Sequence, residues 1–484
     1  MNIHVFLRDM PTELLEHIIP SSRVFMVCMS SKTLRDVVAT TKCCVDVRPG
    51  KDVRFAYADV NSTSAERHAL VLLFIRKSID ASLSRFTIRS FTMHAMVINN
   101  VDGLTALLRL CSRLEVLDLY NNHIAEDDMC DVFLAVQPSL LVLRLARQWI
   151  TRATTGPLCE LLARLVLLKE LDLRENYLNS QGMQALTASI VSRQLTRVHL
   201  GFNHLKSRFW NEHPMLGFDR FVLHTLDLQH NMLQGSHCDS LYACVRGSAG
   251  LLHALDVSYN DLRLLGISYL SGALQHCRAL RHLNIAGNMC GDAALALLLS
   301  AVRPYVPGDD SATGMLLKTF DVGNNKLTAA SARLFSRCLA GNVALQSSLG
   351  NVSFSYNDMQ DVGAQVIIEA LLPCSMRKLG LAQCAMGEAS GLCLAGTMPH
   401  WPVLACLDIH GNRLCSLSLS LIAKEISRNE IQDKEMLFFG NWLMQDSFNE
   451  LDAILAATDA RTNVRRVPST YTLHRVTLAG RVPV

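Results

Sequence analysis

The chain has 484 residues, half of them hydrophobic, and a formal net charge of +3. That much apolar material excludes a mostly disordered chain, and the near-balanced charge gives no electrostatic footprint for nucleic acid or an anionic membrane surface. The longest apolar run, ALVLLFI at 69–75, is too short to span a bilayer, so a soluble protein is expected.

The opening MNIHVFLRDMPTE has no basic n-region or long apolar run, and the early Asp9, Glu13 and Glu16 speak against a mitochondrial transit peptide. Residues 6–38 predict two helices. Asp9 caps the first ahead of Pro11, Leu14, Leu15, Ile18 and Ile19 follow at helical spacing, and the second ends in SKTLRDVV. This segment resembles the F-box: Pro11, Glu13, Leu14, Leu15 and Ile18 match its opening pattern, and Ser31, Lys32 and Arg35 match its close. Leu34 stands where a Trp is usual, Met10 replaces the leading Leu, and the interval between the two parts is short. The resemblance implies docking to the small adaptor of a cullin-based ubiquitin ligase through Pro11, Leu14, Leu15 and Ile18. The alternative is a helical cap over the first apolar face of the repeats that follow.

From residue 83 the chain is organised by one repeat, L-x-x-L-x-L-x-x-N-x-L, seen most clearly at 114–124 (LEVLDLYNNHI), 168–178 (LKELDLRENYL), 223–233 (LHTLDLQHNML) and 252–262 (LHALDVSYNDL). The landmark Asn recurs at 122, 176, 203, 231, 260, 288, 325, 357, 412 and 441, with Gln148 and Cys384 as stand-ins. In LSRFTIRSFTM, 83–93, Phe91 takes the Asn slot of an atypical first copy. Alternation predicts a short strand with Leu117 and Leu119, or Leu171 and Leu173, turned into the core. The Asn is expected to bond to the turn of the next repeat, and the copies with Gln148 and Cys384 to be less regular. Second halves such as 180–192, 265–277 and 361–373 have helical spacing. Two segments interrupt the pattern, 207–221 and 304–314.

About twelve such copies resemble the leucine-rich repeat family, and their length with helical second halves resembles its ribonuclease-inhibitor-like subclass. The resemblance implies an α/β fold: a right-handed solenoid or horseshoe with a parallel concave sheet, convex helices and a helical N-terminal cap, binding other proteins. The expected domains are an F-box-like segment 1–50, a connecting or capping segment 51–82, repeats 83–445 and a C-terminal cap 446–484. In that cap LHRVTLAG, 473–480, repeats the strand pattern and is expected to cover the last sheet edge.

The strand residue between the two buried leucines is expected to point outward, placing Asp118, Asp172, Asp227, Asp256, Asp321 and Asp408 in an exposed column. Beside it lie Tyr120, Phe202, His230, Tyr259 and Tyr356 at strand ends, with Trp149, Tyr177 and His204 just past the landmark. Aromatic side chains among acids suit a protein interface. A ladder of single carboxylates does not converge as a hard-cation site requires. The histidines, for example His224, His253 and His282, show no fixed Cys or carboxylate partner. Sixteen scattered cysteines with no C-x-x-C, and Cys43 and Cys44 without zinc spacing, predict reduced thiols and no structural zinc.

With no G-x-S-x-G, phosphate loop or H-E-x-x-H in a suitable context, no catalytic, cofactor or metal residue is assigned. A Ran GTPase-activating role, suggested by fold alone, is the weakest reading, because the chain has no acid after Asp459. The expectation is a non-enzymatic protein-binding scaffold in the cytoplasm, with the nucleus or cytoskeleton left open. It acts either as an F-box substrate receptor or as an assembly component of a cytoskeletal, ciliary or other large complex. Neither nucleic acid nor membrane is an expected partner.

Overall fold

The structure, a computed structural model, describes residues 42–48, 52–58, 89–92, 97–98, 101–205, 221–235, 238–302, 315–428, 435–438, 440–441, 465–466 and 475–477. The residues expected to dock an adaptor, Pro11, Leu14, Leu15 and Ile18, with nearly all of 207–221 and all of 304–314, lie outside these residues. The chain divides into two compact units, Met1–Asn231 and Met232–Val484.

The first unit opens on a hairpin. Strands β1 (Lys42–Arg48) and β2 (Asp52–Ala58) pair antiparallel from Lys42↔Ala58 to Arg48↔Asp52. The boundary expected at 50/51 lies outside the described residues. A parallel ladder follows through β3 (Ser90–Thr92), β5 (Val116–Asp118), β7 (Val142–Arg144), β8 (Glu170–Asp172), β9 (Arg197–His199) and β10 (Thr225–Asp227). A smaller parallel pair joins β4 (Val97–Ile98) to β6 (His123–Ile124).

Alternation along these strands does what the pattern predicts. Leu117, Leu143, Leu171, Val198 and Leu226 stand in register and are all buried. Helices α1 (Asp102–Leu110), α2 (Glu126–Ala135), α3 (Arg152–Arg164) and α4 (Asn179–Ser189) carry the chain from one strand to the next, each packed on its neighbour. Each buried leucine contributes roughly 1.5–3 kcal/mol, and no repeat encloses its own, so stability comes from stacking. The first copy corrects the sequence reading: Phe91 pairs with Leu117 and is buried, so it fills the inward leucine slot and not the Asn slot.

The second unit repeats the scheme with β11 (Ala254–Asp256), β12 (His282–Asn284), β13 (Thr319–Asp321), β14 (Asn351–Ser353), β15 (Lys378–Gly380), β16 (Cys406–Asp408) and β17 (Glu435–Leu437), all parallel. Its helices are α5 (Asp239–Gly247), α6 (Arg263–Leu274), α7 (Gly291–Ala301), α8 (Ala329–Ala340), α9 (Val343–Ser348), α10 (Gln360–Ala370), α11 (Glu388–Thr397) and α12 (Ser416–Arg428). The last edge is covered as expected, but the covering strand runs the other way. Strand β19 (Arg475–Thr477) pairs antiparallel with β17, and β18 (Arg465–Arg466) antiparallel with β19.

The landmark Asn holds the turns together, looking backward along the chain. Asn176 Oδ1 accepts from the backbone N–H of Gln148 and Ile150, both at 3.0 Å, and its Nδ2 donates to the carbonyls of Leu145 and Leu173 at 2.9 Å. Asn325 and Asn412 do the same for the turns at 288–290 and 384–386. The bonds that cross between repeats go to the preceding turn, where the expectation had the next.

Nor are the stand-in repeats irregular. Gln148 Nε2 donates to the Leu119 carbonyl and the Cys384 thiol to the Phe354 carbonyl at 3.3 Å, so both keep the donor half of the device. The flanking strands β7 and β15 stay in register. What is lost is the acceptor: Gln148 Oε1 is buried without a hydrogen-bond partner.

Candidate functional site

The aspartate column is not an exposed ladder. Asp118, Asp172 and Asp227 are only 8%, 3% and 6% exposed, because each carboxylate folds back on its own turn. It accepts from the backbone N–H two residues on: Tyr120 to Asp118 at 3.2 Å, Arg174 to Asp172 at 3.1 Å, Gln229 to Asp227 at 3.1 Å. Asp256, Asp321 and Asp408 accept likewise from Ser258, Gly323 and His410. This is the Asx-turn bond, and it makes the column first a turn-forming device.

In the first unit these acids are also matched by bases. Arg144 reaches Asp118 at 3.4 Å and Glu170 at 2.7 Å; Arg197 reaches Glu170, Arg174 grips Asp172 at 2.6 Å, and His199 lies 3.8 Å from Asp227. Arg147 pairs with Glu175, and its guanidinium sits 6.0 Å from the Tyr120 ring centre. Acids and bases thus alternate along the described strand face of this unit.

The aromatic residues stand on the turns, in a backbone conformation that resists them. The residue before each landmark has φ between 48° and 71°: Asn121, Arg147, Glu175, Phe202 and His230 in the first unit, and Tyr259, Gly287, Asn324, Tyr356, Gln383, Gly411 and Gly440 in the second. Glycine adopts this left-handed region freely, and other residues give up roughly 1–2 kcal/mol there. Yet Phe202, His230, Tyr259 and Tyr356 place rings in it, and Trp149 and His204, one residue past the landmark, do the same at φ 56° and 53°.

The rings assemble in rows. Trp149, 57% exposed, lies 5.7 Å from Tyr177, which stacks on His204 at 6.1 Å; Phe202 stacks on His230 at 4.1 Å. In the second unit Tyr259 leans over Gly287, where an added Cβ would come within 2.7 Å of the ring.

Tyr356 carries a partner that the spacing did not reveal. Its hydroxyl is 3.0 Å from His410 Nε2, and His410 Nδ1 is 2.6 Å from Asp408 Oδ1. His410 and His199 thus have carboxylate neighbours, which the reading of the histidines as unpartnered missed. The pair Tyr356 and His410 is separated by 54 residues, and only the stacking of repeats joins them.

Cys111, Cys238, Cys277, Cys290, Cys374 and Cys384 have thiols pushed up to about 12 by burial, so they remain protonated and act as small apolar side chains. Among the described residues there is no group of three or more His, Cys, Asp or Glu placed to hold a metal ion, and no helix long and apolar enough to cross a membrane.

Strand, Asn-held turn and returning helix, stacked in parallel register, define the leucine-rich repeat fold with helical second halves. No family model matches the chain. It is similar to human NACHT, LRR and PYD domains-containing protein 12, with 24% identity over 395 residues that make up 72% of this chain and 34% of the relative. It is also similar to ribonuclease inhibitor from Sus scrofa, at 26% identity over 64% of this chain and 67% of the inhibitor, and from Mus musculus, at 22% over 67% and 70%. The chain spans about a third of the length of the first of these relatives.

Proposed function

We propose that the chain is a non-enzymatic scaffold that binds a protein partner through the ring-bearing turns and strand face. The observation that carries this reading is the set of exposed rings in left-handed turn slots, where glycine is the relaxed choice and occurs at Gly287, Gly411 and Gly440. Backbone strain retained at a surface position points to a use for the side chain. Aromatic side chains supply much of the binding energy in protein interfaces, and stacking one on the next restricts them before a partner arrives. Likeness to ribonuclease inhibitor, whose name states a protein target, supports the same reading. The test is affinity purification of the full chain with quantitative mass spectrometry, comparing wild type with the Trp149→Ala, Tyr177→Ala double variant and with Tyr356→Ala. Partners that fall with either variant support the reading; recovery unchanged by both would sink it.

At a finer level the N-terminal segment is proposed as an F-box that hands this scaffold to a ubiquitin ligase, supported by the match at Pro11, Glu13, Leu14, Leu15 and Ile18 and by its place ahead of the repeats. In the same purification, Leu14→Asp with Leu15→Asp is expected to remove cullin and adaptor while leaving turn-bound partners. If no cullin is recovered with wild type, the assembly-component reading replaces it. Among the described residues, buried cysteines outside any disulfide, such as Cys111, Cys277 and Cys374, support a reducing compartment, the cytoplasm.

A further inference from the structure

Where the chain enters each strand, the backbone ladder sets one residue per repeat in a row. In the second unit the row runs His253, Arg281, Lys318, Gly350, Arg377 and Ala405: the amide of each donates to the carbonyl of the one before it, at 2.7–3.1 Å. One residue further on, His282 and Lys378 begin strands β12 and β15. In the first unit the same row reads Arg89, Glu115, Leu141, Lys169, Thr196 and His224, and Arg89 pairs with Glu115 at 3.0 Å. The second row thus has bases and no acid.

Among the described residues of this unit the ion pairs join Arg263 to Asp261 and His410 to Asp408, and neither takes in a cation of the row. Arg281 Nη1 donates to the carbonyls of Arg278 and Leu280, both at 3.0 Å, which holds the guanidinium at the edge without neutralising it. Lys318, Arg377 and Lys378 are exposed. Their field is felt locally: burial, and after it Lys318, Arg281 and His253, hold His282 below its ordinary pKa. The strand-face acids Asp256, Asp321 and Asp408 accept from their own turns and lie three residues beyond the row, roughly 10 Å along the strand and about a Debye length away. Burial raises the Asp321 carboxyl and the Lys378 ammonium opposes it, so Lys378 already serves an acid. Arg281, Lys318 and Arg377 carry the row.

We propose, building on the scaffold reading, that this edge of the second unit binds an extended acidic segment of a protein partner, its Asp or Glu side chains meeting Arg281, Lys318 and Arg377. Strands β12 to β15 span about 14 Å at roughly 4.8 Å per strand, a distance that an extended segment of about four or five residues covers. Gly350, between Lys318 and Arg377, presents no side chain, so a segment lying across the row meets no obstruction between the two cations. Arginine offers a carboxylate a two-pronged planar contact and lysine a point charge. A single file of cations without Phe, Tyr or Trp lacks the stacking platform that single-stranded nucleic acid uses.

The test is fluorescence anisotropy of the full chain with a labelled peptide of alternating Glu and Ser, its Gln-and-Ser counterpart and a thymidine oligonucleotide. At low salt the Glu peptide is expected to bind about tenfold more tightly than either of the others. Lys318→Gln with Arg377→Gln is expected to weaken it by about tenfold, whereas Arg333→Gln with Arg337→Gln, which removes as much charge from helix α8, leaves it within about twofold. Lys318→Glu with Arg377→Glu is expected to lose the Glu peptide and to gain a Lys-and-Ser peptide, a gain that an unfolded chain does not give. No difference between the Glu and Gln peptides, equal losses from the two Gln double variants, or tighter binding of the oligonucleotide overturns the proposal. The assay requires none of the ring-bearing turns, so such a failure leaves the scaffold reading to the purification above.

Discussion

At the scale of single residues, the landmark slot shows what one side chain does in a buried turn. Asn412 donates to one carbonyl of the preceding repeat and one of its own turn and accepts from two amides of the preceding turn, whereas Cys384 supplies only the donor. Because Asn357 and Asn412 occupy the same slot in the neighbouring repeats, the slightly larger amide of Cys384→Asn is expected to be accommodated and to restore an acceptor beneath the turn at 357–359. A satisfied buried amide is worth about 1 kcal/mol, so this variant is expected to be more stable than wild type by about that amount in chemical denaturation. A loss of stability would mean that the turn already meets its needs through sulfur. The slot itself was legible in the sequence because it recurs. The direction of its bonds was not, since periodicity gives the position of a side chain and not which neighbouring turn it meets. The aspartates were legible as a column and misread as exposed, though an Asp two residues ahead of a turn amide is a recognisable Asx-turn signal.

At the scale of elements, helix starts are tied across repeats by carboxylates. Asp292, in the first turn of α7, accepts from the backbone N–H and hydroxyl of Thr328 and from the hydroxyl of Ser331, at the start of α8. Asp361 in α10 accepts from the N–H of Gly387 and Ser390 and from the Ser390 hydroxyl, at the start of α11. Each carboxylate thus caps the next helix. Burial raises their pKa values, but the summed hydrogen bonds outweigh it and hold both below the ordinary 3.8. A depressed carboxylate stabilises the fold fully above its unfolded value and loses that contribution as pH falls through the folded one. Asp361→Ala is therefore expected to cost about 1 kcal/mol at neutral pH, and its stability difference from wild type to shrink below pH 3.8, read by urea titrations across pH. A constant difference would rule out the cap. Helix spans were legible from spacing to within a few positions, while the first copy was read five positions out of register. Its apolar residues at 83, 86, 88, 91 and 93 satisfy two alignments, and only the pairing of Phe91 with Leu117 decides between them.

At the scale of the molecule, stacking does two things that no repeat does alone. It closes the core, and it carries residues far apart in sequence onto one surface, as with Tyr356 and His410. The first was legible, because a core is periodic. The second was legible only in part: the aromatic residues were visible as a set, but their rows and their strained turns depend on how neighbours pack. The central claim is that partners bind at these turns and strand faces and not at the helices. Hydrogen–deuterium exchange of the full chain, with and without a partner recovered by the purification above, tests it most directly. Protection concentrated at 147–149, 175–177 and 202–204, or around 356 and 410, is the predicted result. Protection confined to helices such as Arg152–Arg164 or Gln360–Ala370 would contradict it.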